Sequence, residues 1–179
     1  MNILDVAQNS IRAGADLIRI EIAVDTAADT MTVVIDDNGC GMTKAQAHEA
    51  EDPFFTTRTT RKVGLGVPFF KMAAQAAGGS FSLCSEPGQG TEVTAVFGYS
   101  HIDRMPLGDI SATIHTLITM NTAIDFFYKY SYNGRFFVLD TREFKEILGD
   151  MPLNAPEVSD YIMAYLQENK AEIDGGAVL

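Results

Sequence analysis

The sequence predicts an α/β fold over its first hundred residues, with a smaller α+β part after them, and three patterns carry that expectation. The stretch LDVAQNSIRAGA, residues 4–15, reads as an amphipathic helix with Leu4, Ala7 and Ile11 on one stripe beside Val6, and Gly14 placed to end it. DLIRIEIAV and MTVVIDD alternate apolar and polar residues across the short turn DTAADT, as a hairpin or two adjacent strands do. GLGVPFFKMAAQAAGG reads as a second helix, opened by glycines and closed by Gly78 and Gly79. Pro68 falls in its first turn, where a missing N–H does little harm.

The other elements follow in order. Residues 43–63 read as an irregular polar segment rich in threonine and basic side chains, and SFSLCSE and TEVTAVFGY as strands flanking the turn PGQG. A second part begins near Ser100, dividing the chain into 1–100 and 101–179. PLGDISATIHTLITMN carries Ile110, Ile114, Leu117 and Ile118 at helical spacing. IDFFYKYSYNGRFFVLDT is a hairpin signal, with Asn133-Gly134 suited to a type I′ turn. Aromatic residues on both faces of FFYKYSY suit a strand buried on both sides, or one paired to another subunit. A short helix is expected after Thr141, and a last helix with Asn154 as N-cap and Glu157 completing a capping box.

The chain has 179 residues, 46% of them hydrophobic and 21% charged, a globular composition and not a disordered one. Twelve carboxylates face seven cations in residues 1–100 and twelve face six in the rest, so the net charge of −11 divides as −5 and −6. An evenly acidic chain is a poor partner for nucleic acid or for an anionic membrane surface, and neither is expected. The opening MNILDVAQNS lacks the basic and apolar runs of a signal peptide, and no apolar segment approaches the roughly 20 residues a membrane span needs. Cys40 and Cys84 have neither metal-ligand spacing nor the density of a disulfide scaffold, and His48, His101 and His115 form no zinc pattern. A cytoplasmic location is the expectation.

Four stretches carry chemistry. In VVIDDNGCGMT a strand ends at Asp37 and runs into Gly39 and Gly41, which suits a hairpin turn or a nucleotide pocket in which Asp37 accepts a hydrogen bond from an adenine amino group. In KVGLGVPFF, Gly64 and Gly66 precede a helix and expose backbone N–H groups at its positive end, as an anion site does. It lacks the G-K-[ST] of a P-loop and the G-x-G-x-x-G spacing. Asp5 and Asn9 lie four residues apart and project together. A carboxamide oxygen suits Mg²⁺, which keeps several waters, and the carboxylate could orient or deprotonate an attacking water. In GQGTEV, Thr91 offers a hydroxyl at the start of a strand. Each stretch taken singly also fits an ordinary turn, loop or solvated face.

Together, NSIRAGA, DDNGCGM, DPFFTTR, GLGV and GQGTEVTAVF resemble, in order, the N, G1, F, G2 and G3 boxes of the GHKL superfamily of DNA gyrase, heat-shock chaperone ATPases, histidine kinases and MutL. The resemblance covers nearly all of residues 3–98. It implies the Bergerat fold: a two-layer α/β sandwich with a mixed sheet and helices on one face, here followed by the C-terminal α+β extension. It also implies ATP and Mg²⁺ as ligands. Asn9 would hold Mg²⁺; Asp37 would bind the adenine amino group; Gly39, Gly41 and Met42 would line the base pocket, with Thr91 behind it, and Ala13 would be among the ATP-binding residues. Gly64, Leu65 and Gly66 would approach the phosphates. The segment from Thr43 to Val63 would be the ATP lid, with Arg58, Arg61 and Lys62 as its phosphate partners.

The N box looks most like that of MutL, and the F and G2 boxes more like those of histidine kinases. In the gyrase and MutL branches, and in anti-sigma-factor kinases, a glutamate four residues before the asparagine is the general base. Asp5 stands there, one methylene shorter. Displacing a catalytic group by about 1 Å can cost on the order of a hundredfold in rate, so ATP binding is better supported than hydrolysis. Family members usually carry more helix before the asparagine, and a histidine kinase also needs a phosphoaccepting histidine on a dimerising helix; residues 1–8 hold none. HIDRMP, residues 101–106, is only faintly like that box and fits a linker. The expectation is an Mg-ATP-binding regulatory protein, kinase-like or weakly hydrolysing, with Asp5 as the catalytic candidate. A nucleotide-gated interaction module without turnover is the alternative. A protein partner or phosphoacceptor is expected, and a homodimer is compatible with the pattern.

Overall fold

A computed structural model of the chain describes residues 3–52 and 65–177. The first helix, α1 (Ile3–Arg12), buries Ile3, Val6, Ala7 and Ser10. Its inward stripe is therefore set one residue away from the expected one. Leu4 and Ile11 flank it, half-buried, and Ser10 takes an inward position. Gly14, at φ +72°, ends the helix with a left-handed turn that other residues adopt at a cost.

Strands β1 (Leu17–Asp25) and β2 (Thr30–Asp37) pair antiparallel, Ile18 opposite Asp37 and Asp25 opposite Thr30. On β2 the period of two buries Met31, Val33, Ile35 and Asp37. Asp37 is thus the polar end of a core-facing stripe. The segment expected to be irregular contains a helix, α2 (Lys44–Ala50), started by a capping box in which the Thr43 hydroxyl accepts from the Gln46 N–H and the Gln46 side chain accepts from the Thr43 N–H. Helix α3 (Gly66–Ala76) buries Val67, Pro68, Phe70 and Ala74, with the Phe70 ring edge-on to Phe97 at 5.6 Å. Strands β3 (Ser80–Glu86) and β4 (Gly90–Gly98) complete this part.

Beyond it come α4 (Ile110–Met120), β5 (Asp125–Tyr132), β6 (Arg135–Asp140), α5 (Thr141–Leu148) and α6 (Pro156–Asp174). Asn133 and Gly134 have φ of 49° and 83°, as the type I′ turn requires at both central positions. The expected Asn154 cap is corrected. Ala155, held extended at φ −60°, ψ 139° by the proline that follows, is the N-cap; it makes no side-chain bond, and Asn154 falls outside the helix.

The six strands form one mixed sheet in the order β3-β4-β2-β1-β5-β6. β1 and β5 run parallel, Leu17 opposite Asp125 through Val24 opposite Tyr132, and every other pair is antiparallel. One face carries Ile18, Ile20, Ile22, Val33, Ile35, Ala95, Phe97, Phe126, Tyr128 and Tyr130 and packs under α1, α3, α4 and α6 in a single apolar cluster. The aromatic strand β5 is therefore buried on one face, not two: Phe126, Tyr128 and Tyr130 point inward, while Phe127, Lys129 and Ser131 stay half-exposed. Its second edge pairs with β1 of the same chain. His115, on α4, meets Ser159 Oγ of α6 at 2.8 Å and helps seat the two helices. No helix among the described residues is long and apolar enough to cross a membrane.

Candidate functional site

Asp37 is 7% exposed and its two carboxylate oxygens are held separately. Oδ2 accepts from the Ser10 hydroxyl at 2.6 Å, and Oδ1 accepts from the Gly39 N–H at 2.9 Å. An ionised carboxylate has roughly four lone-pair positions, so the two bonds fix the group without exhausting its capacity. What is left is a rigid acceptor at the end of the sheet.

The loop after Asp37 is shaped by close backbone approach. A Cβ on Gly39 would lie 2.8 Å from Ala13 Cβ and 3.0 Å from Asp37 Oδ1, so a side chain there would fill the space between the end of α1 and the carboxylate. Gly41, at φ +61°, presses against the Glu86 backbone, where a Cβ would collide with the carbonyl oxygen. The main chain is stitched in place: the Cys40 N–H donates to the Ala13 carbonyl at 2.9 Å, and the Gly88 N–H to the Cys40 carbonyl at 2.8 Å. Asn38 Oδ1 accepts from the N–H groups of Asp16 and Leu17 at 2.8 and 2.9 Å, tying the loop to the start of β1. The Met42 N–H donates to Ser85 Oγ at 2.8 Å; that hydroxyl donates to the Gly90 carbonyl at 2.9 Å and lies 2.8 Å from Thr91 Oγ1. Thr91 stands opposite Asp37 in the ladder between β2 and β4.

Asp5 and Asn9 project from α1, Asp5 exposed and Asn9 half-buried, and neither side chain makes a hydrogen bond among the described residues. Gly66, at the start of α3, rests on α1: a Cβ there would lie 2.8 Å from Asp5 Cβ. Leu65, the N-cap of α3, makes no side-chain capping bond, and among the described residues none is seen at this helix start. A helix start without a side-chain cap among the described residues, beside a carboxamide and a carboxylate that bond to none of them, suits an anion with an associated cation. Among the described residues no group of three His, Cys, Asp or Glu side chains could hold a metal. Mg²⁺ needs few protein ligands when phosphates supply the others, and the unengaged Asn9 carboxamide fits that demand. Across the base of the expected lid, Lys71 Nζ of α3 pairs with Glu51 at 2.8 Å.

The fold thus gathers Asp5, Asn9, Ala13, Asp37, Gly39, Gly41, Met42, Leu65, Gly66 and Thr91 at one end of the sheet and the helices beside it. Arg58, Arg61, Lys62 and Gly64 lie outside the described residues. Sequence reasoning missed Ser10, Asn38 and Ser85. Ser10 follows from the correct phase of α1, since it continues the stripe of Ile3, Val6 and Ala7. Ser85 closes the inward row Phe81–Leu83 of β3, as Asp37 closes that of β2. Asn38 carries no comparable signal.

The family model for histidine kinase-, DNA gyrase B-, and HSP90-like ATPases matches residues 2–100. The chain is 32% identical over 79 residues to a probable C4-dicarboxylate sensor kinase of Bacillus subtilis, covering 44% of this chain and 15% of that protein. It is 36% identical over 94 residues to the sensor protein kinase FleS of Pseudomonas aeruginosa, covering 52% and 23%. A solved histidine kinase domain, from the blue-light activated histidine kinase of Erythrobacter litoralis EL346, is 17% identical with a TM-score of 0.41, over 55% of this chain and 42% of that one. The match spans less than a quarter of either sensor kinase's length. With a match over more than half its length, the chain belongs to the histidine kinase-, DNA gyrase B-, and HSP90-like ATPase family.

Proposed function

We propose that the chain binds Mg-ATP at this site and acts as a regulatory, kinase-like protein with slow phosphoryl transfer. The observation that carries the reading is the Asp37 carboxylate, clamped by Ser10 and the Gly39 N–H at a point where the loop packs so closely on Ala13 that only a glycine fits. The adenine amino group would donate to Asp37, with Ala13, Gly39, Gly41, Met42 and Thr91 around the base. Asn9 would hold Mg²⁺, which neutralises phosphate charge when bound. Leu65 and Gly66 would meet the phosphates at the α3 start.

Asp5 is the general-base candidate on this reading. It is exposed, and among the described residues no side chain hydrogen-bonds to it. A general base works from a fixed position within hydrogen-bond reach of its proton, so slow turnover is expected. That same observation favours the second reading, in which ATP orders the site and thereby gates a protein contact without turnover.

Incubation with γ-labelled ATP and Mg²⁺, following label in free phosphate and on protein, separates the two. Release or transfer that disappears in Asp5→Asn supports the enzyme. ATP bound without turnover supports the gated module. An absence of ATP binding by the wild type overturns both.

A further inference from the structure

The edge of the molecule beyond β6 carries a second recess, three strands away from the candidate nucleotide site. It is a groove of about 460 Å³ between α5 and α6. Its apolar lining is Phe144, Ile147 and Leu148 from α5, at i, i+3 and i+4, and Val158, Tyr161 and Tyr165 from α6. The Phe144 ring bridges the two helices, with its centre 6.0 Å from that of Tyr161 and 5.9 Å from that of Tyr165. Ile147 is 86% exposed and Tyr161 59%, so the apolar stripe of a short amphipathic helix is left uncovered.

The charged residues that line the groove have one sign. Glu143 and Glu157 line the groove, and Glu146, Asp150 and Asp160 are exposed on the same two helices and their connection. None of these five carboxylates is in an ion pair among the described residues. The two cations of α5 are already engaged with carboxylates at the sheet end: Arg142 binds Asp140 at 2.6 Å and Lys145 binds Asp125 at 2.6 Å. Tyr165 is committed as well, its hydroxyl donating to the Val138 carbonyl of β6 at 3.0 Å, which makes the groove floor rigid.

We infer that this groove is a docking site for a basic amphipathic helix of a partner protein. Two helical walls with apolar residues at helical spacing take a third helix by its i, i+3, i+4 and i+7 anchors. The uncompensated rim selects lysine and arginine on its flanks and disfavours anionic membrane or nucleic acid. A second copy of this chain is a poor occupant, because two such rims facing each other repel.

The test is fluorescence anisotropy of the full chain with a labelled helical peptide of about 16 residues, leucines on one stripe and lysines on its flanks. A scrambled peptide of the same composition serves as control. The expected result is that the ordered peptide binds at least about tenfold more tightly than the scrambled one. The double variant Glu143→Lys, Glu157→Lys and the separate variant Ile147→Asp, all at exposed positions, each remove that preference. Their thermal unfolding midpoints stay near that of the wild type, which shows that they fold. Equal binding of the two peptides, or undiminished preference in the variants, overturns the inference. So does wild-type self-association in sedimentation equilibrium that Ile147→Asp abolishes, since that result gives the face to a second copy.

Discussion

Asp37 and Ser10 meet at 2.6 Å inside the protein, and each is costly to change for a different reason. Asp37→Asn replaces one acceptor oxygen by a donor, so the Ser10 hydroxyl, the Gly39 N–H and an adenine amino group are three donors for one remaining oxygen with two lone pairs. ATP at about a hundred times its Kd stabilises a protein by about 2.7 kcal/mol. That stabilisation is expected to vanish in Asp37→Asn, read as an unfolding temperature that no longer rises with ATP; an unchanged rise would remove Asp37 from the site. Ser10→Ala leaves a buried carboxylate oxygen short of a donor, at a cost of about 1–3 kcal/mol. Urea denaturation without nucleotide checks this, and a midpoint equal to that of the wild type would show that water replaces the hydroxyl. Asn9→Ala should remove the Mg²⁺ dependence of ATP binding while leaving the apo unfolding midpoint close to wild type, since the side chain makes no hydrogen bond among the described residues.

At the scale of elements, strand patterns were legible because burial on one face imposes a period of two, and the alternation in MTVVIDD places Asp37 inward without further information. Helix starts were less legible. A capping box was expected at Asn154–Glu157, where Pro156 displaces the helix start, while the one that forms, Thr43–Gln46, lies in a stretch too polar to show a periodic signal. The phase of α1 was misjudged because Leu4 and Ile11 are as apolar as the residues that outcompete them for the core. The pocket residues themselves came from motif order, and periodicity adds only their orientation. Capping carries its own prediction: Thr43→Ala removes the side-chain acceptor for the Gln46 N–H, at a typical cost of about 1 kcal/mol to the helix. Faster amide exchange confined to α2, with the global unfolding midpoint nearly unchanged, is the expected outcome. A shift of the whole transition would mean that α2 is integral to the core.

For the whole molecule, the end of α6 is pinned to the sheet by Asp174. Its carboxylate accepts from Tyr130 Oη at 2.7 Å, Lys170 Nζ at 2.6 Å and the Gly176 N–H at 2.9 Å. Burial pushes this carboxyl up, but the bonds from Lys170, Tyr130 and Gly176 outweigh it and hold the group below its ordinary value of 3.8. A lowered folded-state value means that the unfolded chain binds more protons over that interval. The stabilisation is therefore complete above the unfolded value and disappears as pH falls through the folded one. Acid titration of stability should be less steep in Asp174→Asn than in the wild type below about pH 4; parallel curves would show that Asp174 does not contribute.

The parallel pairing of β1 with β5 has a consequence in time. Thr26 and Asn133, bonded at its end, are 107 residues apart along the chain. Closing so long a loop costs entropy before any contact repays it, and parallel pairing between distant segments is slow to form. The β1–β2 and β5–β6 hairpins have short turns and can assemble locally. All six tyrosines lie at position 99 or later, and the chain has no tryptophan, so intrinsic emission during refolding watches the later half settle. The joint between the halves is then expected to form last in folding, and a nascent chain cannot complete the middle of its sheet until β5 has been synthesised.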